Sequence, residues 1–176
     1  MAAWIIAASM VVALTANGVA RGQTTRPPSL NPVVLVDSTG KVAARPLNET
    51  IMLVTISNGV VAPALIRPIY GPDGRTASAL ATWQAGGSVL FTSSDCTAGA
   101  HVYSLPHAGV RAAAQVQTPA GIVLYVGAVG TATTVAVQSI LYDTGCAAVT
   151  VQQNGLFPVL ATVNLNTAYP PPLSFQ

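Results

Sequence analysis

Short apolar blocks alternate with turn residues along this chain, a pattern of strands rather than helices. Val33-Val34-Leu35-Val36 is an apolar run ended by the turn cluster Asp37-Ser38-Thr39-Gly40-Lys41. Residues 51–56 form a second, β-branched run, closed by Ser57-Asn58-Gly59 and followed by Val60-Val61. Asn-Gly between apolar runs predicts a tight hairpin, because both residues tolerate positive φ. Further strands are predicted over residues 88–92, 101–105 and 122–126. The longest covers residues 133–142, where Val135, Val137, Ser139 and Leu141 fall on one face. Residues 149–151 and 159–165 complete the set, with Asn154-Gly155 read as a turn between them.

No segment beyond the N-terminal region combines a helical period with caps. Residues 108–116 are the one ambiguous stretch, since Arg111-Ala112-Ala113-Ala114-Gln115 has good helix propensity. Thirteen prolines interrupt the chain too often for long helices. The expected fold is all-β: a single-domain sandwich or partly open barrel of about eight to ten short antiparallel strands. Its predicted core is Val34, Val36, Leu53, Val54, Leu90, Phe91, Leu124, Tyr125, Val135, Val137, Leu141 and Val163.

The first residues break this pattern. Residues 3–16 are almost uninterruptedly apolar, and Gly18 and Ala20 stand where signal peptidase prefers small side chains. The run is about 14 residues, shorter than the ~20 a membrane-spanning helix needs. A signal peptide over residues 1–20 is therefore expected, cleaved after Ala20 or alternatively after Gly22. A flexible lead-in follows over residues 21–32, then one β domain over residues 33–176 whose Pro170-Pro171-Pro172 tail is extended. No cysteine lies near the signal, so a lipidated-cysteine anchor is excluded.

Composition removes whole classes of function. Charged residues make up 7% of the chain, against about 25% in ordinary domains, and the formal net charge is +2. The seven basic residues are scattered, so no basic stripe exists to neutralise a nucleic-acid backbone. Apolar content of 51% with so little net charge is incompatible with a disordered chain.

Export gives the two cysteines their meaning. Cys96 and Cys146 each follow an apolar run beside turn residues, in Ser93-Ser94-Asp95-Cys96 and Asp143-Thr144-Gly145-Cys146. A redox pair usually has the spacing Cys-x-x-Cys, and a zinc site needs more ligands than two thiolates. A structural disulfide closing a loop of about 50 residues is the expected state in an oxidising compartment.

Candidates for chemistry are few. Asp95, His101 and His107 form the only nearby set that could make a two-histidine, one-carboxylate metal site. Pro106 separates the histidines, so no helix or strand spacing places them on one face; surface or hydrogen-bonded histidines are the expected outcome, with no metal or other cofactor. Ser38-Thr39-Gly40-Lys41 matches Ser-x-x-Lys formally, but that chemistry needs serine at the start of a buried helix. With Gly40 inside it and strands around it, the motif reads as a β-turn. Asn48-Glu49-Thr50 is a formal glycosylation sequon, discounted because the Ala- and Val-rich composition looks bacterial. There is no Gly-x-Ser-x-Gly elbow and no phosphate-cradling glycine loop before a helix. No catalytic residue is assigned.

The order of short motifs resembles a loose group of uncharacterised exported bacterial β-rich proteins. The residues that carry it are the turn segment from Val34 through Asp37-Ser38-Thr39-Gly40-Lys41, then Leu90-Phe91-Thr92-Ser93-Ser94-Asp95-Cys96 and Leu124-Tyr125-Val126-Gly127. Asp143-Thr144-Gly145-Cys146 and the ending Pro171-Pro172-Leu173-Ser174-Phe175 complete it. This chain departs from the group in Thr97-Ala98-Gly99, directly after the first cysteine. The resemblance implies paired roles for Cys96 and Cys146 in an exported β domain, and supplies no activity.

The expected function is a non-catalytic binding or structural module of the periplasm or the extracellular space. Its partner would be a protein or a glycan, met by loops or by an exposed strand edge. The second reading is an oligomeric appendage or adhesin head, with identical chains packed together. The third is a small outer-membrane barrel, weakened by an aromatic content of 6% and a penultimate rather than final Phe175.

Overall fold

The computed structural model describes residues 32–56, 59–75, 77–103 and 110–176. The expected signal peptide and nearly all of the lead-in lie outside these residues. The described residues belong to one compact unit, Pro32–Gln176. The fold is all-β and antiparallel, as the alternation predicts. Twelve strands are present among the described residues, more than the eight to ten expected.

The first sheet closes on itself as a six-stranded barrel. It comprises β1 (Leu35–Val36), β2 (Val42–Pro46), β3 (Ile51–Thr55), β4 (Val61–Tyr70), β5 (Ala77–Trp83) and β12 (Leu173–Phe175). The β1–β2 turn is the predicted Asp37–Lys41 cluster. The Asp37 carboxylate accepts from Thr39 N, Thr39 Oγ1 and Lys41 N at 2.9, 2.6 and 3.0 Å. Ser38 and Lys41 therefore belong to a β-turn and not to a nucleophile helix. The predicted hairpin at Gly59 joins β3 to β4, with Thr55 opposite Val61 and Ile56 N bonded to Val60 O at 2.8 Å.

The C-terminal segment expected to be extended is paired into the barrel. After β11 (Gly145–Asn164) and the one-turn helix α1 (Leu165–Ala168), the chain returns and inserts β12 between β1 and β5. Val34 and Gln176 exchange backbone bonds at 2.9 and 3.0 Å, so the two ends of the domain close the barrel together. Leu165 thus starts a helix instead of ending a strand; Asn164 caps it, its side chain accepting from Thr167 N. Tyr169 then packs into the barrel core with Trp83 and Leu165. Its hydroxyl donates to Thr55 O at 2.8 Å and its carbonyl accepts from Trp83 Nε1 at 3.0 Å. Lys41 Nζ lies 4.4 Å from the centre of the Tyr169 ring.

The second sheet contains β6 (Val89–Phe91), β7 (Ala100–Tyr103), β8 (Ala113–Thr118), β9 (Gly121–Gly127), β10 (Thr133–Tyr142) and β11. β8 is the stretch whose composition left helix open. It is a strand because it is buried on both faces: Ala113 joins the barrel core, while Ala112, Ala114 and Val116 join a second core with Val89, Phe91 and Val102. Small side chains suit a layer squeezed between two cores. Gln115, 2% exposed, hydrogen-bonds through its amide to both Leu65 N and Leu65 O, stitching β8 to β4.

Half of the predicted core is fully buried: Val36, Val54, Leu90, Phe91, Leu124 and Val137. Val34, Leu53, Tyr125, Val135, Leu141 and Val163 are half-buried instead. The predicted face of β10 is correct, with Val137 and Ser139 buried and Val135 and Leu141 partly so.

Candidate functional site

The second sheet carries a long β-ribbon, and most of the predicted site residues converge at its tip. β10 and β11 pair from Tyr142 opposite Gly145 back to Thr133 opposite Leu156. The turn between them is Asp143-Thr144. The expected turn at Asn154-Gly155 is not one, because β11 runs through both residues without reversing. Gly155 has φ +78° and sits where the register shifts between Thr133 and Val135, so the positive φ serves a β-bulge. Thr134 Oγ1 and Asn154 Oδ1 are 2.7 Å apart across it.

The loop between β6 and β7 folds onto the ribbon tip and is bonded to it. Cys96 and Cys146 form a disulfide with Cα atoms 6.0 Å apart, as their setting predicts. Ser139 on β10, 0% exposed, supports the same loop. Its hydroxyl donates to Ser93 O at 2.6 Å and accepts from Cys96 N at 3.0 Å. Within the loop, Ser93 Oγ accepts from Thr97 N and Ala98 N at 3.2 and 3.0 Å. Gly99 has φ +66°, and a Cβ there would collide with Thr92 Oγ1, so only glycine fits. The departure Thr97-Ala98-Gly99 noted in the sequence is therefore the closure of this loop.

Asp95 is consumed inside the same loop. Its carboxylate accepts from Thr97 Oγ1 at 2.7 Å and Thr97 N at 3.2 Å. The Thr97 hydroxyl first, and the Ser93 hydroxyl second, hold its pKa below the ordinary carboxylate value. His101 on β7 places Nδ1 2.8 Å from Gly99 O. His107 lies outside the described residues. Among the described residues, no group of three or more His, Cys, Asp or Glu is close enough to hold a metal ion. Asp95 and His101 thus each have a hydrogen-bond partner within or beside this loop.

Beside the disulfide, a shallow groove of about 540 Å³ runs along the ribbon. Ser94, Gln138, Thr150 and Gln152 line it with Ala148 and Val151. Hydroxyls, amides and small apolar groups can hold a neutral ligand by hydrogen bonds and contact. The lining holds no acid, base or nucleophile paired with one. Over residues 145–155, β11 pairs only with β10 among the described residues; β7 and β9 join it from Leu156 onward.

Two further cavities lie on the barrel side. One is a small space between β4 and β8 around Gln115, and another lies on the barrel wall beside Tyr169. At the β1–β2 turn, Asp37 is 4% exposed and its Oδ2 has no hydrogen-bond partner. The Thr39 hydroxyl lowers the Asp37 pKa, while burial, and secondarily the Asp37 charge, raises that of Tyr169.

Fold and site together define an antiparallel β-barrel joined to a disulfide-stapled β-ribbon. No family model, no curated protein and no solved structure matches this chain.

Proposed function

We propose that this chain is a non-catalytic binding or structural module of the periplasm or the extracellular space, and that the β10–β11 ribbon is its contact surface. One observation carries the reading: a long, uncharged β-ribbon, clamped at its tip by Cys96–Cys146, with a groove along it lined by hydroxyl and amide groups. Clamping holds the surface in one shape before contact, which reduces the ordering cost of binding. The disulfide is compatible with an oxidising compartment. Ligands of matching chemistry are neutral glycans or extended peptides.

The same uncharged ribbon is the surface that the second reading, an oligomeric appendage or adhesin head, would use. Strand geometry speaks against an outer-membrane barrel. The closed barrel has six strands, some of two or three residues, and Arg45 and Arg67 stand at exposed positions on its wall. Membrane barrels use eight or more strands of about 9–11 residues with an apolar outer band.

Two measurements test the proposal. Cell fractionation with intact mass should find a detergent-independent species starting near Arg21; an uncleaved, detergent-requiring species overturns the export reading. Titrating isotope-labelled protein with neutral oligosaccharides and a Val/Thr-rich peptide should shift amides within residues 133–156. Shifts clustered at Asp95 and His101, or chemical turnover of a probe, would overturn the non-catalytic reading.

A further inference from the structure

The barrel wall carries a concave site of its own, lined by none of the ribbon-groove residues. Opposite β1 the register of β2 shifts: Leu35 faces Ala44 but Val36 faces Val42, which leaves Ala43 as an extra residue. Ala43 and Ala44 line a cavity of about 440 Å³ with methyl groups alone, a volume in the range of small-molecule sites. Its remaining walls come from Val42, Arg45, Leu53, Thr55, Val61 and Tyr169. Ala44, Val54 and Ala62 turn into the barrel core, so their strand neighbours Arg45, Leu53, Thr55 and Val61 turn outward. Arg45 faces Leu53 across the strands, and Thr55 is the next outward residue, a diagonal neighbour about 7–8 Å away. Thr55 in turn faces Val61 on β4.

The chemistry of these walls is that of a site for an anion with an apolar part. The Arg45 guanidinium and the Thr55 hydroxyl have no hydrogen-bond or ion-pair partner among the described residues. No acid lines the cavity. Asp37 and Lys41 act on Tyr169 and on each other, so their charges offset and Arg45 supplies the net charge of the site. Val42 and Val61 remain 54% and 42% exposed, apolar surface that a ligand would cover.

We propose that this cavity binds a small organic monocarboxylate with an apolar tail. The planar guanidinium takes the carboxylate through two parallel N–H bonds, and Thr55 Oγ1 donates a third. The tail lies over Val42, Leu53 and Val61. One guanidinium balances one negative charge, which favours a monocarboxylate over a phosphate monoester dianion. Arg45 stays partly in water, so a six-carbon acid should bind with a Kd of about 0.1–1 mM.

The test is titration of the isotope-labelled full chain at about 0.15 M salt with hexanoate, hexanamide, hexylammonium and acetate, read by amide shifts. Hexanoate should shift amides within residues 42–45, 53–55 and at Val61, and bind about tenfold or more tighter than the other three. Arg45→Gln should weaken hexanoate about tenfold and leave hexanamide unchanged. Thr55→Val should weaken hexanoate about three- to tenfold, while keeping the backbone carbonyl that Tyr169 uses. Arg67→Gln removes an equally exposed cation six residues from Val61 on β4 and should change nothing. Circular dichroism confirms that each variant is folded. Acetate binding as tightly as hexanoate would mean ion pairing without a cavity, and hexanamide binding as tightly would remove the role of Arg45. Either result, shifts confined to other residues, or undiminished binding by Arg45→Gln overturns the proposal. The acid–amide comparison uses the unaltered chain, so it decides the matter even if a variant fails to fold. Amides of residues 133–156 report separately on the ribbon.

Discussion

Replacing both Cys96 and Cys146 by alanine should remove about 4 kcal/mol of stability. The figure follows from the sequence separation of 50 between the bonded residues. Closing a loop of that length lowers the entropy of the unfolded chain by about 14 cal/mol/K, or about 4 kcal/mol at room temperature. Native-state corrections are small. Cys96 sits at φ +58°, but alanine is also an L-residue and carries the same strain. Ser139 still holds the backbone N–H of residue 96, so no buried donor is orphaned. At this chain length the loss corresponds to a Tm decrease of about 8–16 °C. Urea denaturation of both forms gives the difference, and native-state hydrogen exchange gives its location. Because the effect acts on the unfolded ensemble, barrel amides in β3 and β4 should lose as much protection as ribbon amides, provided they exchange by global unfolding. A loss below about 1 kcal/mol, or one confined to the ribbon tip, would refute the entropic reasoning. The bridge would then only pin the tip.

Three further outcomes are expected. Ser139→Ala should cost about 2–3 kcal/mol in urea denaturation, because it leaves Ser93 O and Cys96 N unpaired beside the ribbon; a cost under about 0.5 kcal/mol would mean water replaces the hydroxyl. Tyr169→Phe keeps the ring against Trp83 but loses the bond to Thr55 O, for an expected loss of about 1 kcal/mol. Asp37 has a folded pKa below its unfolded value, so its stabilisation is present above the unfolded pKa and is lost as pH falls through the folded one. Asp37→Asn should therefore flatten the acid limb of the stability profile; an acid limb as steep as in the wild type would assign the effect elsewhere.

The elements legible in the sequence are those whose partners lie close along the chain. β10 matches its predicted bounds because alternation over Thr133–Tyr142 reports one buried and one exposed face. The Asp37–Lys41 turn and the hairpin at Gly59 follow from side chains that bond or free their own backbone. Asn154-Gly155 shows where local reading stops: a positive φ serves a turn or a bulge, and only the register with β10 decides which. The same limit hid β4, where Pro63 and Pro68 interrupt the strand pattern although β4 pairs on both sides within the barrel.

The sequence by itself determined the class of fold and the pairing of the two cysteines, because composition, turn chemistry and strand period are local properties. Tertiary structure alone decided that β12 returns to close the barrel and that an alanine-rich stretch becomes a strand between two cores. Each of these depends on which distant segments stop, meet or exclude one another. That is a property of packing in three dimensions, and no run of neighbouring residues encodes it.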